Sequence, residues 1–127
     1  MEEALLALLT GSAAVTAIAG TRINWGAHPQ GAPLPGIVLT VIDDAEGHIY
    51  QGPNGLSQGR VQVDCWALTY DQAKLCGRAV RAALDCYSGG RFEAIFLADQ
   101  RDGREGGTNE ADRPFRSSLD FLTHWRA

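Results

Sequence analysis

The stretch RVQVDCWALTYDQAKLCGRAVRAAL, from Arg60 to Leu84, predicts a β-strand, a short turn and an amphipathic α-helix. Polar and apolar residues alternate through its first half. In a strand, this alternation places one set of side chains on each face. One face would carry Val61, Val63, Cys65 and Ala67. The opposite face would carry Gln62, Asp64, Trp66 and Leu68.

The helix of this unit is predicted to run from Tyr70 to Tyr87. Thr69 and Gln72 have the spacing of a capping box, in which each side chain satisfies a backbone N–H of the other residue. Apolar residues then recur every three or four positions and form one stripe. Its members are Ala73, Cys76, Val80, Ala83, Leu84 and Tyr87.

The rest of the chain supplies further strands around this unit. Ile37 to Ile42 is rich in β-branched residues and is expected to pair with the Arg60 strand as a long-looped hairpin. The segments RFEAIFLAD and RPFRSSLDFLTHW read as two more strands. Two short helices precede a possible strand, Arg22 to Trp25. Long polar loops are predicted at Asp43–Gly59 and Gln100–Asp112.

These elements predict a single α+β domain over residues 1–127. Its sheet is expected to be mostly antiparallel, with four to five strands, one long helix on one face and short N-terminal helices. Both faces of the sheet carry apolar side chains, for example Leu39 on one and Val38 on the other. The long helix can cover only one face, so the second face is expected to be covered by the N-terminal helices, a neighbouring subunit or both.

Composition excludes several classes of function. The chain has 11 basic and 15 acidic residues and no basic stripe, which argues against tight binding to a nucleic-acid backbone. Its apolar runs fall short of the roughly 20 residues that span a bilayer. Glu2 and Glu3 follow the first methionine, whereas a secretory signal begins with basic residues. We therefore expect a cytosolic protein without a membrane partner.

No catalytic, metal or cofactor site is predicted. His28, His48 and His124 lack the local pairing of metal ligands, and Ser117 and Ser118 lack the glycines of a nucleophile elbow. The three tryptophans are scattered, which favours packing over stacking on a ligand.

The acid pairs Asp43–Asp44 and Asp99–Asp102 are more typical of turns than of catalysis. An alternative function, a small ligand-binding domain or hydrolase, would nevertheless depend on these four acids or on the tryptophans.

The three cysteines are expected to be buried free thiols. Cys76 and Cys86 are predicted to share one helix, which would separate them by about 15 Å. That distance is too long for a disulfide.

Three segments together resemble the tail-terminator, or tail-completion, family of long-tailed phages and gene-transfer agents. They are LPGIVLTVI, GPNGLSQGRVQVDCWALTYDQAKLCGRAVRAALD and RSSLDF. The resemblance rests on the order and spacing of RVQVDCWA, TYDQA, VRAALD and SLDF. It covers most of the chain, from the N-terminal helices to Phe121.

The resemblance implies a structural role without an active site or cofactor. Such proteins form a ring, usually of six copies, on the head-proximal end of the tail tube. The implied partners are further copies of this chain, the tail tube protein and the head-side connector, with DNA passing through the lumen without specific binding. The implied location is the tail or neck of a virion or gene-transfer-agent particle, assembled in the bacterial cytoplasm. Another head–tail neck protein is the alternative.

Three groups of residues are candidates for subunit contacts. His48, Ile49 and Tyr50 form an apolar and aromatic cluster in a loop expected to be exposed. A charged group could make ion pairs between subunits, and it comprises Arg101, Asp102, Arg104 and Glu105. Leu5, Leu8 and Leu9 are expected either to cover the sheet of their own subunit or to dock on a neighbour.

Overall fold

A computed structural model of the chain describes residues 2–20, 22–26, 35–42, 56–90, 92–104 and 115–126. It contains three helices, which are α1 (Glu2–Thr10), α2 (Ala13–Ala19) and α3 (Tyr70–Leu84). Its strands are β1 (Ile23–Trp25), β2 (Gly36–Val41), β3 (Leu56–Ala67), β4 (Tyr87–Gly89), β5 (Phe92–Arg104) and β6 (Phe115–Arg126).

The strands form one sheet in the order β1-β2-β3-β6-β5-β4. All neighbouring pairs are antiparallel except β1 and β2, which are parallel. The predicted α+β class is confirmed, but the prediction of four to five strands is wrong because the described sheet has six. The strand that the sequence did not predict is β4, which is only three residues long and carries no detectable alternation.

All three helices cover the same face of the sheet. Their buried residues share one core with the predicted inward face of β3, as expected from the alternation. The fully buried large side chains are Phe121, Leu5, Leu9, Ile37, Leu39, Leu84, Ile95, Leu119, Val15, Val61, Val63 and Val80. The sequence left two possible covers for the second face, the N-terminal helices and a neighbouring subunit. The structure shows that the N-terminal helices do not cover it.

Helix α3 begins as predicted and ends three residues early. The hydroxyl of Thr69 accepts a hydrogen bond from the backbone N–H of Gln72 at 3.2 Å. At the other end, the Asp85 carboxylate accepts the backbone N–H of Leu97 at 2.9 Å. The backbone N–H of Cys86 donates to the Ile95 carbonyl at 2.7 Å. These bonds to β5 turn the chain out of the helix before Tyr87.

Strand β5 is longer and less regular than predicted. It continues through Gln100 to Arg104, a segment that the sequence pattern assigned to a loop, because it pairs with β6 from Leu119 to Phe115. Register shifts between Phe92 and Ala94 and between Leu97 and Asp99 mark two bulges. A bulge inserts one residue and reverses the alternation of faces. Phe92 and Ile95 consequently point into the same core, although simple alternation along a strand would place them on opposite faces.

The cysteines are free, but they do not share one environment. Cys65 and Cys76 are buried, as predicted, whereas Cys86 is exposed because it follows the end of α3. The prediction that Cys76 and Cys86 share a helix is therefore wrong. A hydrogen bond with Cys76, together with burial, raises the pKa of the Cys65 thiol well above its ordinary value.

Only one thiol is expected to react in the native protein. Thiolates are the reactive form, and burial suppresses both ionisation and access. An aromatic disulfide reagent should therefore titrate one thiol per chain in buffer and three in denaturant. The Cys86→Ser variant should titrate none before unfolding. Rapid reaction of two thiols in that variant would contradict the placement of Cys65 and Cys76.

Candidate interaction surfaces

The second face of the sheet carries no helix among the described residues, and it forms the larger candidate surface. The register between strands aligns its side chains in rows that run across the sheet. One row contains Thr40, Gln62, Asp120 and Asp99. The next row towards the start of β6 contains Val38, Asp64, Ser118 and Arg101. We call this surface the open face.

The centre of the open face is a network of charged side chains. Arg60 donates to the Asp120 carboxylate at 2.8 Å, and Arg101 donates to the same carboxylate at 3.1 Å. Arg101 also forms an ion pair with Asp99. Asp120 is only 5% exposed, so the two arginines extend over it. Within this network, two cations balance two anions.

A second buried carboxylate lies beside this network. Asp64 is 7% exposed and accepts hydrogen bonds from Gln62 at 3.0 and 2.9 Å. It also accepts one from the Ser118 hydroxyl. Buried polar groups are tolerated when they are hydrogen-bonded, and this condition is met at Asp64. Both Ser117 and Ser118 act as structural donors, since Ser117 donates to Asp102 at 3.1 Å.

The ion pairs make stability depend on pH in acid. Burial raises the pKa of Asp120, but hydrogen bonds and attraction from Arg101 and Arg60 outweigh this effect and hold the pKa below its ordinary value of 3.8. A hydrogen bond from Lys74 is the main reason that the pKa of Asp102 is also lowered. A lowered pKa in the folded state stabilises the protein above the ordinary pKa, and this contribution is lost as pH falls through the folded value.

We therefore expect the free energy of unfolding to fall as pH drops below the ordinary value of 3.8. The Asp120→Asn variant should lose about 1 kcal/mol at neutral pH, since both arginines are partly exposed. Its stability should then decline less steeply in acid than that of the wild type. Urea unfolding from pH 7 to pH 3 measures both quantities. Parallel acid declines in the two proteins would contradict the role assigned to Asp120.

An apolar row borders the charged network. Leu122 of β6 pairs with Phe96 of β5 and with Arg60 of β3. Ile42 continues the row, since its backbone N–H donates to the Arg60 carbonyl at 2.8 Å. Phe96 is 45% exposed and Leu122 is 39% exposed. Arg60 lies between Leu122 and Ile42 in this row. Phe96 and Leu122 therefore form an apolar pair, and Ile42 stands apart from it. Exposed apolar surface of this kind is typical of a contact site for another molecule.

The second candidate surface is a groove on the outward side of α3. Tyr70, Leu75, Lys74, Arg78 and Asp71 line a cavity of about 400 Å³. Tyr70 is 48% exposed and Leu75 is 52% exposed. We call this surface the α3 groove.

Contacts with strands position the α3 groove. The Tyr70 ring packs edge-on against Phe115 at 6.0 Å between centroids. Lys74 forms a 2.9 Å ion pair with Asp102 of β5. The groove lies on the helix layer, so it is on the opposite side of the molecule from the open face.

The structure separates residues that the sequence grouped together. Arg101 lies on the open face, whereas Asp102 points to the helices and pairs with Lys74. Asp99 lies on the open face, so the acid pair Asp99–Asp102 does not converge on one site. Both acids are engaged in ion pairs within the chain.

The remaining candidates fall into two groups. Leu5 and Leu9 are fully buried in the core of their own chain, and Leu8 packs against that core. His48, Ile49, Tyr50, Glu105 and the side chain of Arg104 lie outside the described residues, as do Asp43 and Asp44. Their role as subunit contacts stays a prediction.

Sequence reasoning did not name as contact residues the side chains that form the exposed apolar surfaces, namely Ile42, Phe96, Leu122, Tyr70 and Leu75. A signal was present for Leu75, because it lies off the apolar stripe of α3. For Phe96 the bulges of β5 hid which face it occupies.

No single described helix is long and apolar enough to cross a bilayer. Helices α1 and α2 reach the required length and composition only as a pair, and they bend by 84° at their junction. Their residues Leu5, Leu9, Val15 and Ala19 are buried in the core.

Comparison with known proteins gives a matching family model and similar solved structures. The family model for the tail completion protein gp17 matches residues 3–125. A chain of the virion of a native gene transfer agent particle has a similar structure, with a TM-score of 0.64 and 22% sequence identity. The alignment covers 97% of this chain and 92% of that one. No curated protein matches the sequence.

The family model spans all three helices and all six strands that the structure describes, apart from the terminal residue of each end element. The match therefore concerns the whole fold and not one motif. The structural similarity independently supports the same fold over nearly the whole length of both chains. The chain belongs to the tail completion protein gp17 family and is a structural component of the virion tail.

Proposed function

We propose that this protein is the ring-forming tail terminator of its particle. It caps the head-proximal end of the tail tube, joins the tube to the head-side connector and lines part of the DNA channel. The observation that carries the proposal is the family match over residues 3–125. The ring, its six-fold symmetry and each named partner are parts of the proposal.

Two properties of the surface support a role in assembly. The core is complete within one chain, because large apolar side chains of all three helices and the sheet are fully buried. The apolar row of the open face and the α3 groove nevertheless stay exposed. Apolar surface that the core does not need is typical of subunit contacts.

The topology supports contacts with two different partners along the axis of a tail. Strands β2 and β3 are joined through residues 43–55, next to Val41 and Val61. Strands β5 and β6 are joined through residues 105–114, next to Arg104 and Phe115. The first junction leads into the start of β3, and the second leads into the start of β6. Because β3 and β6 are antiparallel, these two starts lie at opposite ends of the sheet. A tube protein and a connector could therefore each meet a different end.

The proposal includes the absence of enzymatic activity. Of the acids considered for hydrolysis, the structure describes Asp99 and Asp102, and these two point to opposite sides of the sheet. Each is bound to a basic side chain of the same chain. We expect the Asp99→Asn and Asp102→Asn variants to change the free energy of unfolding without abolishing an enzymatic activity.

Deletion of the gene in a particle-producing strain tests the proposal. Electron microscopy of negatively stained lysates should then show abnormally long tails, because nothing stops growth of the tube. Expression of the wild-type chain from a plasmid should restore a uniform length. Tails of normal length that lack heads would identify the chain as another neck component and would overturn the terminator assignment.

A further inference from the structure

We propose that neighbouring copies in the ring meet through the open face and the α3 groove, with Phe96 of one copy packed in the α3 groove of the next. This inference rests on the proposed ring and names the contact that builds it. Its occupant is a second copy of the same chain. Both sides of the contact consist of described residues.

The groove has the chemistry to receive an aromatic side chain next to an acid. The Tyr70 ring and Leu75 provide apolar surface. Asp71 and Arg78 add one charge of each sign seven positions apart along α3, so the positive charge lies at the Arg78 end. Arg78 forms no ion pair with any residue that the structure describes, whereas the charge of Lys74 is already neutralised by Asp102. Aromatic pairs favour edge-to-face packing, and an arginine beside an aromatic ring adds cation–π attraction.

The open face presents the complementary pattern. Phe96 and its cross-strand neighbour Leu122 form an apolar pair that is exposed to solvent. Asp99 lies on the same face of β5, because the bulge after Leu97 shifts the alternation by one residue. Its side chain is 48% exposed, and its partner Arg101 is shared with Asp120. A carboxylate beside an aromatic ring is what the Tyr70, Leu75 and Arg78 side of the groove can bind.

The positions of the two surfaces determine the kind of assembly. The two surfaces differ in composition and lie on opposite sides of the molecule. A pair of copies related by a two-fold axis therefore cannot place the open face of each copy on the α3 groove of the other. Contact between unlike surfaces repeats from copy to copy and closes into a ring if the rotation allows it. Each copy then contributes its open face to one neighbour and its α3 groove to the other.

Cross-linking at the predicted contact tests the inference. The Cys86→Ser background removes the exposed native thiol, and Cys65 and Cys76 are buried. In this background, Leu75→Cys and Phe96→Cys are introduced together, and the protein is assembled on tail tubes before a short bismaleimide is added. The double variant should give covalent dimers and higher multiples up to the closed ring. Each single variant alone should give none, and a mixture of the two should give dimers only.

Several outcomes would overturn the contact. Rings that assemble without cross-links in the double variant would exclude it while leaving the terminator role intact. Cross-linking within either single variant would show that like surfaces meet. Capture of the tail tube protein in place of a second copy would assign the surface to that partner. A wild-type chain that never associates with itself, on tail tubes or alone, would overturn both the ring and the contact.

A charge exchange provides an independent measurement. Arg78→Glu and Asp99→Lys should each lower the yield of rings by about threefold, in line with a partly exposed ion pair. The double variant should recover most of that loss, because the pair is restored with reversed charges. A double variant that loses as much as the two single changes combined would contradict the pairing of Arg78 with Asp99.

Discussion

Replacing Phe121 with alanine is expected to lower the free energy of unfolding by about 3–5 kcal/mol. Phe121 is fully buried at the centre of the sheet, where its register partners are Val61 and Leu97. Removing the ring gives up its transfer free energy and leaves a cavity. Since domains of this size are stable by about 5–15 kcal/mol, the variant should be close to unfolding at 37 °C.

The matched control is the same substitution at Phe96 of the neighbouring strand β5. Phe96 lies on the open face and is 45% exposed. Phe96→Ala should cost less than about 1 kcal/mol, as is usual for a surface position. Urea unfolding followed by tryptophan fluorescence compares the two variants. Similar losses at Phe96 and Phe121 would mean that the open face is covered within the single chain, and would contradict the exposure of Phe96.

Assembly is expected to depend strongly on Phe96, although the stability of the single chain does not. Phe96→Asp should leave the unfolding midpoint nearly unchanged, yet reduce association with other copies by about 100-fold or more. The reason is that the substitution removes the aromatic contact and adds a second carboxylate next to Asp99, which already uses the free cation of the groove, Arg78. An unpaired charge buried in an interface costs several kcal/mol. Sedimentation velocity and negative-stain imaging on tail tubes measure this loss.

Two variants control for effects of charge and of side-chain size. Ala17→Asp adds the same charge at an exposed position of α2, a helix that contributes no residue to either surface, and should assemble normally. Phe96→Leu keeps an apolar side chain and should retain most of the association. If Phe96→Asp formed rings as well as the wild type, the open face would not be a subunit contact.

The central unit of the fold was predictable from local chemistry. Alternation in β3 identified the inward face, and all four residues assigned to it are fully buried. Thr69 marked the start of α3 because its hydroxyl satisfies a backbone donor that the helix leaves free. These signals depend on residues close together in the sequence, and they were read correctly.

Elements that depend on distant partners were not predictable. The segment from Gln100 to Arg104 is polar and looks like a loop, but β6 supplies its hydrogen bonds. Lys74 and Asp120 supply ion pairs for its side chains. Strand β4 and the parallel pairing of β1 are each three residues long, which is too short for a pattern to appear.

The candidate surfaces illustrate the same limit. Bulges determine which residues of β5 reach the open face, and a bulge is visible only once the register with β6 is known. Composition suggested that part of the sheet would need an external cover. Composition could not indicate that this surface has a charged centre bordered by an exposed row. The charged centre forms only in the folded chain, because Asp120, Arg60 and Arg101 come from three different strands.

Cryo-electron microscopy of isolated tails, with this chain located in the density, tests the proposed ring most directly. We expect one closed ring of this chain at the head-proximal end and nowhere else along the tube, with Phe96 of each copy against Tyr70 and Leu75 of the next. Density for single copies, for copies distributed along the tube, or for a ring in which both surfaces face solvent would contradict that expectation.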